Sequence, residues 1–217
     1  DPSRLMPGTG CCALTDSVRL TAHAMKLGGG GVLMLPPFYY KGVSDDGLFK
    51  NFAEVIERVG DRRLRVYVYH IPPVSQVPLT LGLIERLLKA YPGIVAGVKD
   101  SGGDWNNTKA MLDAFAASGF DVFAGSETFL LANMRNGGAG CISATANVNP
   151  APIARLHREW QTAEADAQQA RLDEIRGIMQ RYPMNPALKA VIARYGGDPA
   201  WVMVRPPLVA LTDEQRA

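Results

Sequence analysis

The sequence predicts an α/β fold built on a parallel sheet. Two observations carry this. Short apolar runs bounded by turn residues alternate about six times with helical stretches. The runs are continuous, as in strands buried on both faces. A third observation bears on architecture: Thr9, Tyr40, Tyr69, Lys99 and Ser126 all fall just past strand ends. A barrel gathers such ends on one face, and an open doubly wound sheet also brings them together. No Gly-x-Gly-x-x-Gly enters a helix, and the glycines at 28–31 precede a strand. A (β/α)8 TIM barrel is therefore the favoured reading, with six of its eight strands present and a helical C-terminal extension. The division expected is a barrel portion over 1–149 and helices packed on it over 150–217.

The elements follow in order. Arg4 to Gly10 reads as a strand end entering a glycine loop, and Thr15 as the cap of a helix with Asp16 in its first turn. Val18, Ala22 and Met25 form its apolar stripe, and the glycines at 28–31 stop it. A strand over 31–35 runs into Pro36-Pro37-Phe38-Tyr39-Tyr40-Lys41. Ser44 and Asp45 can cap a helix whose Leu48, Phe52, Val55 and Val59 recur at helical spacing before Gly60. The strand 65–70 closes at Ile71-Pro72-Pro73. Thr80 opens a helix with Ile84, Leu87, Leu88 and Tyr91 on one face, broken by Pro92-Gly93. The next strand ends at Lys99, with 100–104 as a loop, and a helix carries Met111, Leu112 and Phe115. A strand over 120–125 precedes a short helix begun by Ser126-Glu127, and 140–144 is the last strand. Residues 151–182 read as a helix with Leu172, Ile175, Ile178 and Met179 as its buried stripe, and 185–195 as another.

Composition narrows the function. Of 217 residues, 47% are apolar and 20% charged, which fits a globular protein with a sizeable core. A formal net charge of +2 without a long basic run offers no electrostatic footprint for nucleic acid. No apolar stretch approaches a membrane span. Cys11, Cys12 and Cys141 make an odd count with neither a disulfide framework nor zinc-ligand spacing. They read as reduced core cysteines of a cytoplasmic protein.

Lys99 stands where the chemistry concentrates. Apolar surroundings at a strand end penalise an ammonium, and a neutral amine is what attack on a ketone requires. The plainer alternative is a strand-end lysine that reaches solvent. Tyr67 and Tyr69 alternate with Val66 and Val68, so one of the pair is expected to serve packing. Tyr39 and Tyr40 can be interface or core aromatics. His70 reads as structural or pocket-lining rather than a base, Cys11 and Cys12 as packing, and His23 and His157 as surface or satisfied core residues.

In order and spacing, Gly8-Thr9-Gly10, Pro37-Phe38-Tyr39-Tyr40-Lys41, Tyr69-His70-Ile71-Pro72, Gly97-Val98-Lys99-Asp100, Gly125-Ser126 and Ile142-Ser143-Ala144-Thr145-Ala146-Asn147 resemble the dihydrodipicolinate synthase / N-acetylneuraminate lyase family of class I aldolases. The resemblance reaches Arg205-Pro206-Pro207-Leu208. It implies a (β/α)8 barrel with a helical extension and a homo-oligomer, a dimer of dimers. By position, Lys99 looks like the Schiff-base lysine. Tyr69 looks like the tyrosine that shuttles protons and touches the substrate carboxylate, and Tyr40 like the tyrosine that crosses a dimer interface. Gly125 and Ile142 look like pocket positions, with Thr9 and Ser126 beside them as substrate-binding candidates. The implied ligand is pyruvate or another 2-oxo acid, with no metal or organic cofactor.

Two departures stand out. The family's carboxylate-binding Gly-Thr-Thr-Gly-Glu-like loop has no equivalent here, and the expectation is that about 70–90 residues, two strand–helix units, precede Asp1 in the source protein. True synthases of the lysine pathway carry an arginine where Val74 stands, and a valine cannot hold a carboxylate in bidentate fashion. Cleavage or dehydration of a 2-oxo sugar acid is therefore expected over the synthase reaction. A non-catalytic 2-oxo-acid-binding member and an unrelated phosphate-binding barrel are the further alternatives.

Overall fold

A computed structural model describes residues 1–216, and Ala217, the end of the expected helical portion, lies outside the described residues. The chain forms two compact units, one of residues 1–125 with 136–139 and one of 126–135 with 140–216.

The first unit is strand–helix throughout. Its strands are β1 (Val32–Met34), β2 (Val66–His70), β3 (Val95–Asp100) and β4 (Asp121–Ala124). They pair in that order, all parallel. Parallel neighbours need a crossover, and helices supply each one: α1 (Leu14–Lys26) leads into β1, and α2 (Asp45–Val59), α4 (Leu81–Ala90) and α5 (Trp105–Phe115) follow. Pro72–Ser75 adds a single turn, α3. Caps hold these helices, at Ser44 and Thr80 where the residues predict and at Asp104 besides. Ser44 accepts from Gly47 N–H at 3.3 Å, Thr80 from Leu83 N–H at 3.0 Å and Asp104 from Asn106 N–H at 2.9 Å. Gly60 ends α2 with φ of 62°, a left-handed position that suits glycine. The core runs from β1–β4 to Leu48, Phe52, Leu83, Ile84, Leu87, Met111 and Leu112 on the helices.

Several expectations are corrected. The opening segment is no strand. Pro2–Arg4 is a 3-10 turn, and only Gly8 bridges to Leu33, through Thr9 N–H to Leu33 O and Leu33 N–H to Pro7 O. Pro7 has no N–H to extend a ladder. Thr15 does not cap α1, which starts at Leu14 behind Ala13 with no side-chain cap. Its buried face is Ser17, Thr21, Ala24 and Met25, while Ala22 is exposed. Polar residues turn inward because each has a partner: Ser17 Oγ accepts from Cys11 N–H, and Thr21 Oγ1 donates to Thr9 Oγ1. Cys12 is exposed rather than core, since it precedes α1 in a loop; Cys11 and Cys141 are half-buried, and all three are free thiols.

The second unit is mostly helical: α6 (Leu130–Arg135), α7 (Pro150–Glu159), α8 (Ala165–Met179), α9 (Met184–Gly196) and α10 (Asp213–Arg216). Its strand, β5, is only Gly140–Cys141, shorter than the run 140–144 predicts, because Ala144–Asn147 turns into a 3-10 helix. The single helix expected over 151–182 is two. Thr162 donates both N–H and Oγ1 to Glu159 O, closing α7 before α8 begins. Leu172 and Met179 are buried as expected, but Ile178 is 53% exposed. It lies about 120° around the helix from Leu172 and so falls off the stripe. Leu130, Leu131, Ile153, Leu156, Ala165 and Leu172 form one core, and Met179, Ala187, Leu188 and Leu211 another. Among the described residues no helix is long and apolar enough to cross a membrane.

Candidate active site

Lys99 and Tyr69 meet at the carboxyl ends of β3 and β2. They are register partners across the parallel ladder. Residues directly paired in this way share a face, so the lysine and the tyrosine stand side by side. Lys99 Nζ donates to Tyr69 Oη at 3.0 Å, and the same nitrogen lies 4.2 Å from the centre of the tyrosine ring. Both residues are half-buried: reachable from solvent, yet walled by the sheet. An amine within hydrogen-bond reach of a phenol is a nucleophile with a proton donor and acceptor at its side.

The same face shows why the other tyrosine of β2 serves packing. Tyr67 pairs across with Gly97, and its ring fills the space a side chain there would take; a Cβ on Gly97 would sit 2.6 Å from Tyr67 Cδ1 and 2.5 Å from Asp121 O. Tyr67 Oη donates to Asp121 Oδ2 at 2.9 Å. Burial, and then this bond to a carboxylate, pushes the phenol up to about 12. Tyr67 therefore holds its proton, and Tyr69 is the tyrosine that faces the lysine.

Gly125 directly follows β4 at the same level. Its N–H donates to Asp100 O at 2.7 Å, and a Cβ there would overlap Ser101, 2.7 Å from its Cα. Thr9 is buried and committed to Thr21 at 2.9 Å, with no hydrogen bond to Lys99 or Tyr69. Tyr40 is 74% exposed and stacks edge-on against Tyr39 with ring centres 5.2 Å apart. Among the described residues no bond or ring contact joins it to Lys99. Val74, at the position where an arginine marks the synthases, is 74% exposed on α3. Lys41 Nζ, next to Tyr40, donates to Phe38 O and, at 2.8 Å, to Ser75 O, tying the tyrosine loop to α3.

Ser126 and Ile142 belong to the second unit. Ser126 caps the 3-10 turn Glu127–Phe129, accepting from Thr128 N–H at 3.3 Å, and Ile142 is half-buried beside Ser143. Between them lies a cluster the sequence did not announce. Glu127 is fully buried and its carboxylate accepts from Ser143 Oγ and Thr145 Oγ1. Arg176 Nη1 lies 3.5 Å from it. Burial, helped by Glu127, pushes the Cys141 thiol up to about 12, so it is no nucleophile. No group of metal-ligating side chains occurs among the described residues.

A second missed feature adjoins Lys99. Asp100 belongs to β3 rather than to the following loop and is 2% exposed. It accepts from Gly102 N–H at 2.8 Å, Asn107 Nδ2 at 2.9 Å and Thr108 Oγ1 at 2.7 Å. His70, its register partner, is buried with Nε2 4.0 Å from Asp100 Oδ1. Burial holds the imidazole below its ordinary value, against a weaker opposing pull from Asp100. The geometry agrees: His70 Nδ1 accepts from Leu79 N–H at 3.0 Å, which requires that nitrogen to be unprotonated. The contact is therefore a neutral imidazole beside a carboxylate rather than an ion pair.

A parallel α/β protein with an amine–phenol pair at its strand ends is the class that fold and site define. Residues 3–217 match the dihydrodipicolinate synthetase family, and the chain belongs to it. It is 33% identical over 98% of its length to an uncharacterized DapA-like lyase of Chloroflexus aurantiacus, spanning 70% of that protein. Among solved structures, dihydrodipicolinate synthase from Agrobacterium tumefaciens superposes with a TM-score of 0.87 at 34% identity, covering all of this chain and 72% of that one. YagE from E. coli K12, a family member in complex with pyruvate, gives 0.87 at 26% identity, covering 96% of this chain and 70% of that one. The α/β barrel class, the family and the lyase assignment thus agree with the sequence reading.

Proposed function

We propose that this protein is a Schiff-base-forming lyase that binds pyruvate or a related 2-oxo acid through Lys99. The observation that carries the reading is the 3.0 Å hydrogen bond between Lys99 Nζ and Tyr69 Oη at the carboxyl ends of paired strands. The lysine amine, once neutral, adds to the C2 carbonyl carbon. The carbonyl oxygen takes up protons and leaves as water, giving an iminium. That iminium accepts the electron pair of the C3–C4 bond when a 2-oxo sugar acid is cleaved, as the C4 hydroxyl gives up its proton and the C4 fragment departs as an aldehyde. The resulting enamine takes a proton at C3, and water hydrolyses the pyruvate iminium to release pyruvate and the Lys99 amine. Tyr69, already bonded to the nitrogen, is placed to carry those protons. By the family resemblance, Gly125, Ile142, Thr9 and Ser126 are each proposed as substrate-binding residues.

The pyruvate complex of YagE supports the ligand class. The exposed Phe38, Tyr39 and Tyr40 support a homo-oligomer in which Tyr40 enters a partner's site. Three free cysteines suit a cytoplasmic setting. The family also contains synthases, but Val74 leaves the aldehyde carboxylate of that reaction without its arginine, so cleavage or dehydration is favoured.

The test is borohydride reduction of the full-length protein with pyruvate, followed by peptide mass mapping, with Lys99→Ala alongside. A reduced adduct on Lys99 is expected. Its absence with pyruvate and with a panel of 2-oxo sugar acids would leave the binding-protein reading in its place. Saturable condensation of pyruvate with aspartate semialdehyde would restore the synthase.

A further inference from the structure

We infer that Asp100 is a positioning residue for Lys99, holding the end of β3 so that the amine stays against Tyr69. The inference rests on the Schiff-base reading above.

Successive side chains of a strand point to opposite faces. Lys99 faces Tyr69, and Asp100 turns to the helix side, where Asn107 and Thr108 of α5 reach it. One carboxylate therefore gathers the loop after Lys99, through Gly102 N–H, and the next helix, through two side chains. The backbone is stitched at the same level. Ser101 N–H donates to His70 O and Gly125 N–H to Asp100 O, each at 2.7 Å, so the ends of β2, β3 and β4 are joined one step beyond the lysine. Tyr69 is braced likewise by its own successor, since His70 Nδ1 takes the Leu79 N–H at 3.0 Å. The residue following each member of the amine–phenol pair thus ties its strand to the chain beyond it.

A buried carboxylate is an expensive way to fill space, because its desolvation must be repaid by hydrogen bonds. Here it receives three, and the segment they fix is the one that aims Lys99. Misplacing a reacting group by about 1 Å costs on the order of a hundredfold in rate. Loss of the anchor should therefore lower the rate of imine formation more than it weakens substrate binding.

The experiment measures the rate of borohydride-trappable adduct on Lys99, kcat and KM, and the unfolding midpoint, for wild type, Asp100→Asn, Asn107→Ala, Thr108→Val and Thr108→Ser. Asp100→Asn is expected to slow adduct formation by about 10–100-fold with KM changed less than about threefold. Thr108→Val should slow it by a smaller factor, and Thr108→Ser, which keeps the hydroxyl, should recover it. If Asp100→Asn does not fold, the Asn107 and Thr108 variants decide, because they leave the carboxylate in place. Variants that lose stability but form the adduct at the wild-type rate would overturn the inference and leave the lyase reading intact. A wild-type protein that forms no adduct would overturn both.

Discussion

Replacing Tyr69 by phenylalanine separates the chemistry of the site from its stability. The substitution removes one oxygen and leaves the ring, so the 4.2 Å approach of Lys99 Nζ to the ring centre survives while the 3.0 Å hydrogen bond is lost. Both residues are half-buried, so water can replace part of the missing partner. The stability cost is that of one hydrogen bond, about 0.5–1.5 kcal/mol. The catalytic cost is larger if Tyr69 carries protons: general acid–base groups contribute about 10²–10⁴-fold, or roughly 2.7–5.4 kcal/mol of barrier. The two ranges do not overlap. The assay pairs a urea midpoint with single-turnover adduct formation and steady-state turnover on whichever 2-oxo acid labels Lys99. A modest shift in midpoint with a fall of at least about 100-fold in kcat is the expected result. A Tyr69→Phe enzyme that loses no more activity than its stability change accounts for would refute the proton-carrying role and leave Tyr69 as a ring that packs on the lysine.

Three further outcomes follow from the same structure. His70 is held below its ordinary value by burial, so the unfolded chain binds a proton more readily than the folded one; stability is full above about pH 6.5 and falls as the pH drops toward the folded value, and His70→Gln should flatten that part of a urea midpoint against pH curve. Arg176→Met removes the cation 3.5 Å from the fully buried Glu127 and should cost about 3 kcal/mol in chemical denaturation, whereas Ser143→Ala, which takes one of two hydroxyl donors, should cost about 1–2 kcal/mol. Gly97→Ala drives a methyl to 2.5 Å from Asp121 O and 2.6 Å from Tyr67 Cδ1 and should cost about 1–3 kcal/mol, with Tyr67→Phe in the same background giving no recovery because the β4 backbone and the ring, not the hydroxyl, are in the way.

The parts of the fold that were legible in the sequence are those where burial follows hydrophobicity. The stripe of Leu48, Phe52 and Val55 on α2 and of Ile84 and Leu87 on α4 is buried as its spacing requires, and Ser44 and Thr80 cap helices with short polar side chains. The apolar runs became β1–β4 because each is a short run with buried valines, and their ends were marked by the turn residues that follow. Lys99 and Tyr69 were legible for the same reason: each is a polar residue terminating such a run. What failed on α1 was the assumption that a buried face must be apolar. Ser17 and Thr21 are turned inward by Cys11 N–H and Thr9, partners that lie in the loop before the helix. Ile178 is exposed for a different reason: its angle around α8 places it away from Leu172, so its apolar side chain falls outside the buried stripe.

The buried carboxylates mark the deeper limit. Asp and Glu are exposed by default because an unpaired charge in the interior is costly. Asp100 and Glu127 escape that cost only through donors that the fold supplies: a loop N–H and two side chains of α5 for Asp100, two hydroxyls and Arg176 for Glu127. For Glu127 the donors come from β5's continuation and from α8, and nothing local signals them. For Asp100 a local signal did exist. An acidic residue directly after a strand-end lysine, followed within one loop and one helical turn by Asn107 and Thr108, puts two short donors where a strand-to-helix turn folds back on itself. Lys99 was picked out by what ends at it. Asp100 could have been picked out by what begins after it, and the difference matters because a reacting group gains most in rate when its geometry is fixed.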